Sequence, residues 1–117
     1  MAFSKASHFD SISFRQSIWS KALAHPARIA ILSHLLENGV TPFHTLARQI
    51  PLAKTTVSQH LRLLRHLSLI ESYEKYPHTY YRLNHKTCTS LAEQLGHLNT
   101  GFTLQAGDEP LDHLPPG

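Results

Sequence analysis

Apolar residues recur at helical spacing through the first half of the chain. The spacing predicts three helices, over about residues 10–24, 27–37 and 41–50. Apolar positions on the first are spread too widely for a single neighbour, so we expect it to contact two other elements. We expect Gly39 to end the second helix and the Thr41 hydroxyl to cap the third.

The segment after Pro51 carries two rows of side chains with opposite character. The spacing predicts a helix over about residues 54–67, separated from the preceding helix by a short turn. Its apolar row is Val57, Leu61, Leu64 and Leu67, and its polar row is Thr55, Gln59, Arg62 and His66. Such a helix packs against the protein on one side and offers hydrogen-bonding groups on the other.

Beyond this helix the pattern favours extended structure. Residues 69–76 and 79–84 are rich in β-branched and aromatic side chains, with Pro77 between them, and predict a β-hairpin. Helical spacing of apolar residues returns afterwards and predicts a last helix over about residues 86–100.

Length and composition indicate one small cytoplasmic domain. Of the 117 residues, we expect 1–100 to form the domain and 101–117 to form a flexible tail, because the tail has prolines, glycines and little periodicity. We find neither an apolar run long enough for a membrane helix nor a signal-peptide pattern, and so expect no membrane contact. The single cysteine, Cys88, rules out an internal disulfide and a zinc site built from two thiolates of one chain.

Positive charge is concentrated in the middle of the chain. Only 16% of the residues are charged, and the 11 Lys and Arg residues exceed the 8 Asp and Glu residues. Seven of the basic residues, but only two of the acidic ones, lie within residues 48–86. A basic segment in an otherwise slightly acidic chain is typical of proteins that bind polyanions such as nucleic acid.

The order of the predicted elements matches a helix-turn-helix followed by a wing. We therefore predict a mainly α fold with a small β-hairpin, in which the helix at 54–67 enters the major groove of double-stranded DNA. The side chains expected near phosphates are Lys54, Arg62, Arg65, Lys75 and Arg82. Those expected to contact base edges are Thr56, Ser58, Gln59 and Arg62, and Thr55, in the same polar row, is also predicted to bind DNA.

Four stretches carry a resemblance to a known family. They are residues 21–35 (KALAHPARIAILSHL), residues 56–65 (TVSQHLRLLR), Leu69-Ile70 and residues 81–83 (YRL). Together they resemble the ArsR/SmtB family of bacterial winged-helix repressors, over about residues 10–100. The resemblance implies a homodimer that forms through its first and last helices. It also implies that a fourth helix enters the major groove of an inverted-repeat operator, and that a ligand, often a metal, relieves repression.

Three positions depart from the family pattern. Ala53 stands where a capping serine is common before the fourth helix, which forfeits a cap worth about 1 kcal/mol unless Thr55 or Thr56 substitutes. Ser68 stands where glycine often follows that helix. The wing tip, residues 76–79, lacks the Arg and Gly that are frequent there, so its contact with DNA is left open.

The chain lacks the ligands of the family's two best-known metal sites. The third helix offers His44 but no thiolate, and the last helix lacks the carboxylates of the other type. We therefore predict no cofactor and no standard metal site. A non-standard site of His85, Cys88 and His97 across a dimer stays open, as does the identity of any effector.

Two other classes of function compete with a DNA-binding regulator. A winged-helix module that binds protein would keep the apolar pattern and lose the basic face, which is present here. The sequence has no glycine-rich phosphate loop and no paired nucleophile and base on an identifiable scaffold, so we predict that it is not an enzyme. The favoured hypothesis is a dimeric, sequence-specific transcriptional repressor, with the protein-binding winged helix as the alternative.

Overall fold

The computed structural model describes residues 9–105 and 115–116. Within these residues the chain forms five helices and three short strands. In chain order they are α1 (Ser11–Ala22), α2 (Pro26–Asn38), β1 (Thr41–Pro42), α3 (Phe43–Gln49), α4 (Lys54–His66), β2 (Ile70–Lys75), β3 (His78–Leu83) and α5 (His85–Gln105). The predicted fold, mainly α with a β-hairpin, is confirmed.

One apolar core joins the helices to the sheet. Its buried residues are Ala22, Ala27, Ile31, Leu35, Leu46, Ile50, Val57, Leu61, Leu64, Leu69, Ile70 and Leu91. Within α2 and α4 these residues recur three or four positions apart, which places them on one side of each helix. The inward row predicted for α4 is therefore confirmed at Val57, Leu61 and Leu64, and Leu67, just past the helix, is half-buried.

The sheet contains a strand that the sequence pattern does not predict. β1 pairs antiparallel with β3, and β3 pairs antiparallel with β2, so the order is β1-β3-β2. Thr41, predicted to cap α3, instead pairs with Tyr81, and its hydroxyl donates to the Gly39 carbonyl oxygen at 2.9 Å. The predicted cap is therefore wrong. Pro42 is the N-cap residue, and no side chain caps α3.

The predicted stop of α2 at Gly39 is confirmed, and the helix begins one residue before its predicted start. Pro26 takes the first helical position and Gly39 follows the last one. Gly39 has φ 72° and ψ −147°, a conformation that is essentially restricted to glycine. Its N–H donates to the Leu35 carbonyl oxygen at 2.9 Å and closes the helix.

α5 is longer than the sequence predicts. It runs from His85 to Gln105, whereas the predicted end is Thr100. Gly101 is helical, because glycine lowers helix propensity by about 1 kcal/mol without excluding a helix. In the described part of the chain neither α5 nor another helix is long and apolar enough to cross a membrane. Most of the predicted tail, including residues 106–114, lies outside the described residues.

Candidate nucleic-acid interface

α4 has one side in the core and one side in solvent. Val57, Leu61 and Leu64 are buried and hold the helix against the rest of the domain. The opposite side carries exposed polar and basic residues, among them Gln59 and Arg62. This is the two-sided helix that the sequence predicts.

The first turn of α4 has no side-chain cap. Ala53 is the N-cap residue, with φ −59° and ψ 147°, and neither Thr55 nor Thr56 supplies a capping hydrogen bond. The predicted loss of a cap is confirmed. The first backbone N–H groups of the helix therefore have no side-chain partner, and they give this end a partial positive charge.

The last turn of α4 ends on a left-handed serine. Ser68 has φ 62°, and its N–H donates to the Arg65 carbonyl oxygen at 2.9 Å. The N–H of Leu69 donates to the Leu64 carbonyl oxygen at 3.0 Å, which completes a Schellman motif. Glycine is usual at this place, because a left-handed conformation costs an L side chain about 1–2 kcal/mol.

Seven of the nine residues predicted to bind DNA lie on α4. Lys54, Thr55, Gln59, Arg62 and Arg65 are exposed, and Thr56 and Ser58 are half-buried. Arg65 also donates from Nη1 to the Ser72 hydroxyl of β2 at 3.0 Å. This hydrogen bond ties the exposed side of α4 to the hairpin.

The other two predicted residues lie at different places on the hairpin. Lys75 is exposed at the end of β2, next to the turn. Arg82 is paired in register with Glu71, and its Nε lies 3.6 Å from Oε1 of that carboxylate. Neighbouring residues of a strand point to opposite faces, so this ion pair faces away from Ser72 and Tyr81, which lie toward α4.

Two histidines that the sequence pattern does not connect meet beside α4. The ring centroids of His44 in α3 and His78 in β3 are 5.1 Å apart. With Ser58 and Tyr81 they line a cleft of about 430 Å³ between α3, α4 and the hairpin. Burial raises the pKa of the Tyr81 hydroxyl. No local signal predicts this pair, because the pairing of β1 with β3 brings it together.

Known proteins share both the helix-turn-helix and the surrounding fold. A family described as a helix-turn-helix domain matches residues 23–73, from the end of α1 into β2. HlyU from Vibrio cholerae is 27% identical and aligns with a TM-score of 0.64 over 77% of this chain and 97% of its own. An ArsR-like transcriptional regulator from Rhodococcus sp. RHA1 is 20% identical, with a TM-score of 0.66 over 83% of this chain and 91% of its own.

The chain has the winged helix-turn-helix fold that these ArsR-like regulators share. The resemblance seen in the sequence is thereby confirmed. The transcriptional repressor BigR from Xylella fastidiosa shares the ArsR-like fold at 24% identity, with a TM-score of 0.61 over 86% of this chain and 96% of its own. No curated protein sequence matches the chain.

The histidine and cysteine side chains that the structure describes meet at most in pairs. Within residues 9–105, no three His, Cys, Asp or Glu side chains are grouped so as to hold a metal ion. The Cys88 thiol donates to the Leu69 carbonyl oxygen at 3.4 Å, and burial raises its pKa. A thiol held in its protonated form is a poor metal ligand and reacts slowly with oxidants. A site formed by His85, Cys88 and His97 across two protomers stays a prediction.

Proposed function

We propose that this ArsR-like chain is a dimeric, sequence-specific transcriptional repressor that binds an inverted-repeat operator in double-stranded DNA. The observation that carries the proposal is α4, which has a buried apolar side and an exposed polar and basic side. The major groove of B-DNA admits one α-helix, and hydrogen-bonding side chains distinguish the base pairs there. The description of BigR as a transcriptional repressor supports the proposed direction of regulation.

The exposed side of α4 divides into two proposed roles. Lys54 and Arg65, together with Lys75 on the hairpin, neutralise phosphates and so supply affinity that does not depend on base sequence. The proposed base-reading residues are Thr55, Thr56, Ser58, Gln59 and Arg62. Glutamine pairs with adenine, and arginine with guanine, through two hydrogen bonds each.

Arg82 is proposed as the most peripheral of the DNA-binding residues. Its guanidinium lies beside Glu71, on the face of the hairpin turned away from Ser72 and α4. An exposed carboxylate at 3.6 Å partly offsets the attraction of this guanidinium for a phosphate.

The far end of α5 supports the proposed dimer. Leu91 is buried, but Leu98, Phe102 and Leu104 beyond it are 41%, 69% and 76% exposed. The Cα radius of gyration is 18.4 Å, whereas a compact domain of about 100 residues has a radius of gyration of about 13 Å. An apolar helix end that extends from the body buries its surface when it pairs with a second copy. Two-fold symmetry would then place two α4 helices about 34–36 Å apart, one turn of DNA.

We also propose that DNA binding by this chain needs no bound metal. The half-buried thiol of Cys88, whose pKa is raised, supports this, as does the absence from α5 of the carboxylates of the family's last-helix metal site. The expected result is the same operator affinity with and without a chelator. Metal retained by the purified dimer, together with a change of affinity on chelation, would contradict the proposal.

A gel-shift titration tests the proposed function directly. The DNA is the region upstream of the protein's own gene, and the expected result is a shift that weakens by about 0.9 log unit per log unit of salt for each neutralised phosphate. The variant Arg62→Glu/Arg65→Glu should abolish binding. The control Ala30→Glu/Ser33→Glu adds negative charge at exposed positions of α2, away from the proposed DNA-binding residues and from both helices of the proposed dimer, and should retain most of the affinity.

Three outcomes would contradict the proposal. Absence of a shift at low salt would rule out DNA binding at this region. Equal losses for the α4 and α2 variants would mean that net charge, and not α4, carries the affinity. Regulatory activity that survives Arg62→Glu/Arg65→Glu would favour a winged helix that binds protein.

A further inference from the structure

Arg28 joins three helices behind the exposed side of α4. Its Nε donates to the Ala22 carbonyl oxygen at 2.9 Å, and its Nη2 donates to the Lys21 carbonyl oxygen at 3.0 Å. Both carbonyls belong to the last turn of α1, where a cation is favoured by the helix dipole. The third nitrogen, Nη1, lies 3.2 Å from Nδ1 of His60 in α4. One guanidinium therefore fixes α4 relative to α1 and α2.

The imidazole of His25 completes this junction. Its Nδ1 accepts a hydrogen bond from the Ala27 N–H at 3.0 Å and thereby caps the N-terminus of α2. Its ring centroid lies 4.4 Å from that of His60. The cap of α2 and the link to α4 thus depend on two imidazoles in direct contact.

Both imidazoles accept a hydrogen bond at Nδ1, and in each case the partner can only donate. A guanidinium has N–H donors and no acceptor, and a backbone N–H is likewise a donor only. A proton on Nδ1 of His60 would face Arg28, and a proton on Nδ1 of His25 would face the N–H of Ala27. Each ring therefore has to be neutral, with its proton on Nε2, for the junction to exist.

The electrostatic surroundings of His60 favour the same neutral form. Burial, the ring of His25 and the charge of Arg28 all lower the pKa of His60. The groups that act on it are the imidazole of His25, at the start of α2, and the guanidinium of Arg28 in α2. From α1 the junction receives the backbone carbonyls of Lys21 and Ala22, which accept from Arg28. As long as Arg28 stays in this position, these groups favour the neutral ring of His60 over the imidazolium.

We propose that Arg28, His25 and His60 are positioning residues for α4, and that acid opens this junction and weakens DNA binding. The proposal rests on the proposed function, since it explains how α4 is held ready to enter the major groove. When either ring takes up a proton on Nδ1, the cap of α2 or the link from Arg28 to α4 is lost. α4 is then correctly placed in a smaller fraction of molecules, and the apparent affinity falls in proportion to that fraction.

The direction of the pH dependence distinguishes this junction from a simple charge effect. The folded chain holds the pKa of His60 below its unfolded value, so the stability it contributes is present above the unfolded pKa and is lost as pH falls through the folded pKa. A general gain of positive charge in acid would instead strengthen binding to a polyanion. Weaker binding in acid is therefore the signature of the junction.

The test compares operator affinity at about pH 7.5 and about pH 5.5 in three proteins. The wild type should bind about three- to tenfold more weakly at the lower pH. The variant His25→Asn/His60→Asn keeps a neutral acceptor near each Nδ1, and asparagine is also a good N-cap, so its affinity should be unchanged or higher in acid. The control His34→Asn removes a half-buried histidine of α2 that belongs neither to the junction nor to the proposed DNA-binding residues, and it should respond to acid as the wild type does.

Nitrogen NMR of the histidine rings gives a second readout that requires neither DNA nor a variant. At neutral pH both His25 and His60 should carry the proton on Nε2 and leave Nδ1 bare. Observation of the Nδ1–H form at His60 would overturn the proposal. So would wild-type affinity that is constant or higher in acid, or an acid response that persists in the His25→Asn/His60→Asn variant. Absence of DNA binding at both pH values would refute the proposed function instead. The NMR result would then show by itself whether His25 and His60 carry the protonation that the junction requires.

Discussion

α4 and α5 are both amphipathic, yet they differ in how much of their apolar side the chain itself covers. The apolar row of α4 is buried from Val57 to Leu64, and the helix presents only polar and basic groups to solvent. The apolar row of α5 is covered at Leu91 and partly at Leu95, and then it continues into solvent through Phe102. The exposed side of each helix indicates the partner it lacks, a polyanion for α4 and an apolar surface for α5.

The largest expected effect comes from placing charge on the free end of α5. We expect Leu98→Glu/Phe102→Glu to be monomeric and to bind the inverted repeat at least about a hundredfold more weakly, because two linked half-sites gain about 10²–10⁴ in affinity. Sedimentation and gel shift measure the two effects. Leu36→Glu, at an exposed leucine of α2, is the control and should stay dimeric. A dimer that survives both changes on α5 would show that its apolar end is not the interface.

The next effect concerns the exposed side of α4. Arg62→Ala should cost about 1–3 kcal/mol of operator binding and relax base preference, because arginine discriminates guanine through two hydrogen bonds. Lys54→Ala is the matched change at a proposed phosphate contact, and it should weaken binding to all sequences alike and reduce the salt dependence. Competition binding with single-base operator variants separates the two. If both variants lose affinity uniformly, α4 does not read bases through Arg62.

Restoring a cap at the start of α4 should have a smaller effect, on the stability of the fold. Ala53 has an extended backbone suited to a capping residue, so Ala53→Ser should raise the free energy of unfolding by about 1 kcal/mol. Ala53→Val adds bulk without an acceptor and should not stabilise. Thermal or denaturant unfolding measures the difference, and equal stability of the serine and valine variants would contradict the interpretation.

A glycine at the C-terminal end of α4 should also change the stability of the fold. Ser68→Gly removes the strain at φ 62° but increases the entropy of the unfolded chain, so we expect a net stabilisation of about 0.5–1 kcal/mol. The reverse change at a comparable helix end, Gly39→Ala, should destabilise, because Gly39 has φ 72°. A destabilised Ser68→Gly variant would mean that the serine side chain contributes more than its backbone costs.

The smallest effect is expected at Arg82. Its ion pair with Glu71 is exposed and lies on the hairpin face turned away from α4, so Arg82→Ala should change stability and operator affinity by less than about 0.5 kcal/mol. Lys75→Ala, nearer the tip of the hairpin, should cost more affinity. If Arg82→Ala has the larger effect, the DNA approaches the base of the hairpin from its outer face.

Local patterns in the sequence were sufficient for most of the helices and for the character of α4. Residues three and four positions apart share a helix face whatever the rest of the chain does, so Val57 and Leu61 were placed correctly without coordinates. The absence of a cap at Ala53 and the stop at Gly39 were equally local. These features depend on a few neighbouring residues, which is why the sequence alone contains them.

Contacts between distant parts of the chain were decided by the tertiary structure. The strand at Thr41 exists because Tyr81 lies beside it, and Arg28 meets His60 across 32 positions of sequence. The face on which Arg82 lies depends on the register of the hairpin. Such contacts form only when the core brings remote segments together. The apolar pattern drives this burial, but the hydrophobic effect is non-directional, so the pattern does not specify which polar side chains will meet.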